Sequence, residues 1–168
     1  MRTMTEGAFL DWRRSNRFKN RTWRFAATVH TPLEKLGWYV DTLLEPVESV
    51  REAVVRVTEV VFEPRSLITY RKGRGIDEEL WKTPAHLVSD VQDLRGLLIA
   101  TFSDWVDFGV YMIPARFALA ADHDELTRIF ASKKSDLGGT VAQLREGGVE
   151  VIEPVHRLSG MPRTGPWV

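Results

Sequence analysis

The strongest constraint on the fold is one apolar series. Leu87, Val91, Leu94, Leu98, Phe102 and Trp105 recur at intervals of three or four residues. That spacing aligns them along a single stripe of an α-helix, and such a stripe must be buried against another layer. Thr83-Pro84 precedes the series in the cap-then-proline order of a helix start, so the helix is expected to open there.

The opposing layer is written with a different period. Between Arg21 and His30, Trp23, Phe25, Ala27 and Val29 alternate with Arg24, Ala26 and Thr28, the pattern of a strand. Ala53–Phe62 is dense in β-branched side chains and reads as a strand that follows a short helical turn from Val47. Glu63-Pro64-Arg65-Ser66 then reads as a turn and Leu67–Arg71 as the hairpin partner, leaving Lys72-Gly73-Arg74-Gly75 as a basic loop. Val106–Ile113, Arg116–Ala121 and Val149–Ile152 complete the expected strands. Three further helices are expected. One runs to Leu44 from the capping box Thr31-Pro32-Leu33-Glu34. One is opened by Asp122 and Glu125 and carries Leu126, Ile129 and Phe130. The last, Leu137–Glu146, is stopped by Gly147-Gly148.

Paired strands interleaved with helices make an α+β class: a single domain with a mixed, mostly antiparallel sheet and helices packed on one face. Residues 1–20 read as a polar, arginine-rich arm or a short helix, 21–153 as the domain, and 154–168 as an irregular tail containing prolines and glycines. At 168 residues and 43% apolar composition, the chain can bury a core without disulfides or a structural metal. It has no cysteine, which excludes thiol nucleophiles, Cys-ligated zinc and iron–sulfur clusters. No secretory signal is visible, and runs such as Leu97–Ala100 and Phe117–Ala121 fall well short of the ~20 residues a membrane span requires. A cytoplasmic protein without membrane association is therefore the expectation.

Lys plus Arg and Asp plus Glu are both 23, so the net charge is zero, which disfavours a globally basic nucleic-acid binder. The charge is segregated, however. Residues 1–35 carry eight basic and three acidic side chains, whereas residues 86–125 carry seven acidic and two basic. Two candidate surfaces follow. Arg13, Arg14, Arg17, Lys19, Arg21 and Arg24, interleaved with Phe18 and Trp23, could hold phosphates and stack bases, joined by Lys72 and Arg74 if the fold brings them near. Asp104, Asp107, Asp122, Asp124 and Glu125 could form an acidic face for a basic protein. His123 between carboxylates could serve acid/base or metal-assisted chemistry, although a capped helix start explains the same residues, and no second metal-spaced histidine accompanies it. Trp12, Trp81 and Trp167 stand in polar or irregular contexts, where an exposed tryptophan would suit a protein interface.

With no Gly-x-Ser-x-Gly elbow, P-loop or zinc-binding helix motif, the expectation is a non-enzymatic interaction domain without a cofactor. It would bind one protein partner through the acidic face, as an immunity or antitoxin-type inhibitor of a toxic enzyme does. A nucleic-acid-binding accessory protein is the alternative, and a small metal-assisted enzyme centred on His123 the second.

Overall fold

The structure is a computed structural model and describes residues 1–16, 23–46, 51–113 and 117–158. The elements run β1 (Arg2–Met4), α1 (Glu6–Ser15), β2 (Phe25–His30), α2 (Leu36–Leu44), β3 (Glu52–Val60), α3 (Arg65–Gly73), β4 (Ala85–Val88), α4 (Val91–Ser103), β5 (Val106–Ile113), β6 (Phe117–Ala121), β7 (Leu126–Ala131), α5 (Lys134–Glu146) and β8 (Val151–Arg157). The strands form one eight-stranded sheet in the order β1-β4-β3-β5-β6-β7-β2-β8. Every pairing among the described residues is antiparallel. The expected α+β class with a mostly antiparallel sheet is the fold observed.

Four helices cover one face. Tyr39, Val40 and Leu43 of α2, Leu94, Leu98 and Phe102 of α4, and Leu137 and Leu144 of α5 pack on Ala53, Val55, Val57, Phe108 and Val110. Phe102 meets Phe108 edge-on at 4.8 Å. Helix α1 lies across the opposite face, where Phe9 packs with Val54, Tyr111, Ala118 and Phe130. Because both faces of the central strands are covered, β3 and β5 read as nearly continuous apolar runs rather than alternating ones.

Several local expectations are corrected. Arg2–Met4 is not part of a free arm; it pairs with β4 at the sheet edge, and Thr5 caps α1 through the Ala8 amide. Leu67–Arg71 is helical rather than a hairpin strand. The Asp104 carboxylate accepts from the Ser66 and Leu67 amides at 3.0 and 2.7 Å, a cap supplied from beyond the end of α4. The Lys72–Gly75 segment is the end of that helix, not a loop. Gly75 adopts a left-handed φ of 71°, with Ile76 N–H bonded to Arg71 O and Gly75 N–H to Lys72 O. This is the same Schellman stop that Gly148 (φ 81°) provides after α5.

Thr83-Pro84 does not open a helix. Ala85–Val88 is inserted between β1 and β3, and α4 starts only at Val91, capped by Asp90 through the Gln92 and Asp93 amides. Leu87 therefore leaves the helical stripe and faces α1's side of the sheet. Asp122–Glu125 is the turn of the β6–β7 hairpin, because Leu126–Ala131 pairs with both β6 and β2. Thr31 does not cap α2; its hydroxyl pairs with that of Thr127 at 2.8 Å, and a single 3-10 turn, Leu33–Lys35, leads into the helix. Finally, β8 continues to Arg157. Pro154 is tolerated there because β8 is an edge strand, where a missing N–H need not break the ladder. The helical turn expected from Val47 lies outside the described residues.

Candidate protein-interaction surface

Strand register gathers three distant segments at one end of the sheet. Val60 pairs with Val106, Phe108 with Ala121, Ala121 with Thr127 and Leu126 with His30. The segments before and after these pairs therefore meet: Glu59–Phe62, Asp104–Asp107 and Asp122–Glu125, with His30 beside the last.

Most of the carboxylates here have defined partners. Asp107 accepts at one oxygen from the backbone N–H of His123 (2.7 Å) and faces His123 Nδ1 at 2.8 Å. That hydrogen bond, reinforced by the charges of Asp107, Asp124 and Glu59, pushes the His123 imidazole's pKa up and favours its protonated form. Asp122 accepts from the Asp124 and Leu126 amides and so shapes the turn. Asp124 is exposed. Glu125 adopts a left-handed φ of 62° and sets its carboxylate 3.2 Å from His30 Nε2. Asp104 is committed to capping α3. The structure thus brings Asp107, Asp122, Asp124 and Glu125 into one cluster, with Asp104 at its margin.

Beside these groups lies an apolar feature of which the sequence pointed only to Trp81, 58% exposed. Phe62 is 59% and Trp105 41% exposed, their rings edge-to-face with centroids 6.0 Å apart. Val61 adjoins Phe62, and Trp81 lies across the turn, sharing a cavity wall with Val60 and Pro64. Four of the seven exposed large apolar side chains among the described residues thus belong to this end, the others being Leu10, Trp38 and Ile152.

Trp105 occupies this place at a conformational cost. It follows the Asp104 cap of α4 with a φ of 51°, the helix-stop position that glycine fills after α3 and α5. A left-handed backbone in a bulky residue costs about 1–2 kcal/mol. Its spacing from Phe102 places Trp105 in the buried stripe of α4, whereas the helix ends at Ser103 and leaves the ring exposed. The available signal was the absence of any glycine between Phe102 and Val106, which forces a side-chain-bearing residue into the turn.

The basic candidates are divided. Arg13 and Arg14 lie on α1, with Arg14 paired to Asp11. Arg74 ends α3 on the other face, ion-paired with Asp93 and stacked over Tyr70 at 5.2 Å; Lys72 is exposed next to it. The α3 and α1 cations therefore do not form one surface. Arg17, Lys19 and Arg21 lie outside the described residues, as does Trp167, while Trp12 is half-buried and donates to Glu52. Arg24 instead sits at the sheet end opposite the acidic cluster. There the register places it with Arg157, Arg51, Lys133 and Lys134, all exposed.

Among the described residues no three His, Asp or Glu side chains are grouped so as to hold a metal ion. His123 and Asp107 offer only a pair. No helix among the described residues is long and apolar enough to cross a membrane. Comparisons with models of known protein families, with curated proteins and with solved structures find no match.

Proposed function

We propose that this chain is a non-enzymatic protein-interaction domain. In this reading the aromatic and acidic end of the sheet binds a basic protein partner, in the manner of an immunity or antitoxin-type inhibitor of a toxic enzyme. The observation that carries the reading is Trp105, a bulky aromatic residue held in a strained backbone conformation and left exposed in contact with Phe62. Strain retained at an exposed position points to function. Tryptophan is enriched among the residues that dominate binding energy, and carboxylates around an apolar centre supply a polar rim and steer a cationic partner.

The test is a low-salt pull-down from source lysate with the wild-type chain, Trp105→Ala and Asp124→Lys as baits. A stoichiometric basic protein held by wild type and lost from both variants supports the reading. A partner held equally by all three baits removes it from this surface. One observation favours a second reading: Arg24, Arg51, Lys133, Lys134 and Arg157 gather at the other end, as a polyanion-binding surface would require. Nucleic acid in the eluate that disappears in Arg24→Glu/Arg157→Glu would move that reading to the front.

A further inference from the structure

The turn after β3 separates two hollows. The shallower lies between Phe62 and Trp105. The deeper one has a volume of about 470 Å³ and is walled by Val60, Pro64, Ile68, Ile76, Leu80 and Trp81. Asp77, Glu78 and Glu79 stand on its margin with Lys72.

This cavity is preformed. One wall is α3 and the other is the segment from Ile76 to Trp81, and a single side chain fastens them together. Arg71, only 2% exposed, donates to Glu78 O at 2.8 Å, to Thr83 Oγ1 at 3.1 Å and to the Thr83 carbonyl, and lies 3.1 Å from His86 Nε2. The helix stop at Gly75 fixes the start of the far wall through the Ile76 N–H to Arg71 O bond. A rigid, apolar, open hollow needs little ordering when it is filled. Trp81, 58% exposed, is part of its lining.

We propose that this cavity receives one apolar side chain, aromatic or branched aliphatic, from a lysine- or arginine-rich segment of the protein partner. The inference rests on the interaction-domain reading above and adds the chemistry of the contact. The apolar walls select the anchor. At the mouth Asp77, Glu78 and Glu79 stand against Lys72, the already bonded Arg71 and Lys82, which is ion-paired with Glu79, so the selection for cationic flanks comes from the Glu59, Asp122, Asp124 and Glu125 carboxylates around the same sheet end.

The test titrates the ¹⁵N-labelled full chain with Ac-Lys-Lys-Phe-Lys-Lys-NH2 and with its Ser-centred counterpart, reading the tryptophan indole signals. Trp81→Phe and Trp105→Phe assign the two reporters. The expected result is a saturable shift of the Trp81 indole, at least tenfold weaker with the Ser peptide and abolished by Ile76→Gln, a half-buried wall position outside the core cluster. If the Phe and Ser peptides shift Trp105 alike and leave Trp81 unmoved, the cavity inference falls while the acidic surface stands. If neither peptide moves any indole, both readings fall. Decanoate shifting Trp81 where the Phe peptide does not would overturn the cationic-segment assignment.

Discussion

The two ends of the sheet carry opposite charge and are built by different means. The basic end takes Arg24, Arg51 and Arg157 from the termini of strands and Lys133 and Lys134 from the start of a helix, in ordinary backbone conformations. The acidic end takes its groups from connections, and the two non-glycine residues with left-handed backbones among the described residues, Trp105 and Glu125, are both there. Exposed aromatic surface follows the same division. Charge alone is easily accommodated at any strand terminus. Strain and exposed apolar area both oppose folding, and their coincidence at one end is what separates a candidate binding surface from a merely charged one.

The largest expected effect tests what supports the acidic end from beneath. An arginine can only donate, so His86 Nε2 must accept from Arg71, and the imidazole is neutral. Burial, and then the adjacent guanidinium, push its pKa down from 6.5 to about 4 against the Val55 backbone. Between those values the unfolded chain binds a proton that the folded chain does not. Stability is therefore full above pH 6.5, falls as the pH drops toward 4, and loses about 3 kcal/mol from this group. Urea unfolding across that range should show the loss. Hydrogen exchange should show residues 74–83 opening before the Arg24–Arg157 end; simultaneous opening would mean that the clamp supports both ends equally.

Truncating Trp105 to Ala should weaken the partner complex by about 2 kcal/mol or more, roughly thirtyfold, read by calorimetry. Arg157→Glu, at the other end, should leave it within experimental error; an equal loss would break the proposed division of labour. Reversing Asp124 and Glu125 to Lys should slow association about tenfold at low salt and much less at high salt, read by stopped flow. A slower dissociation-limited loss that ignores salt would locate the effect in packing instead.

Sequence carried the broad pattern well. The long apolar series of α4 from Val91, the β-branched run of β3 and the glycine stop of α5 are local signals, and each appears where expected. What it could not carry were helix and strand choices decided by partners far along the chain. Asp104 converts Leu67–Arg71 to helix from a distance, and pairing with β6 and β2 makes a strand of Leu126–Ala131. The carboxylates Asp107, Asp122, Asp124 and Glu125 were readable as a charged run, but their adjacency to Phe62 and Trp81 arises from the register of β3 with β5 and the cavity beside α3. Gly73-Arg74-Gly75 reads as a loop after a strand for a further reason: glycine marks a backbone turn without saying whether a strand or a helix precedes it.

The smallest expected effect is the sharpest test of Trp105. After α3 and α5 the helix-stop position is glycine, and Gly75→Ala or Gly148→Ala should each lose about 1 kcal/mol, because a Cβ opposes the left-handed backbone. At position 105 glycine should again be more stable than alanine, although neither is the native residue. Trp105→Gly removes the strain, about 1–2 kcal/mol, and also the ring contact with Phe62, worth about 0.5–1.5 kcal/mol, so its melting temperature should stay near that of wild type. Trp105→Ala keeps the strain and loses the contact, so it should be the less stable variant by about 1 kcal/mol. Both should lose the partner. If Gly and Ala prove equally stable, the backbone at 105 relaxes without strain, and the argument that this tryptophan is kept for binding loses its physical basis. If Gly is the more stable of the two and yet fails to bind, then the acidic end maintains, against its own folding, a residue whose use lies outside the chain.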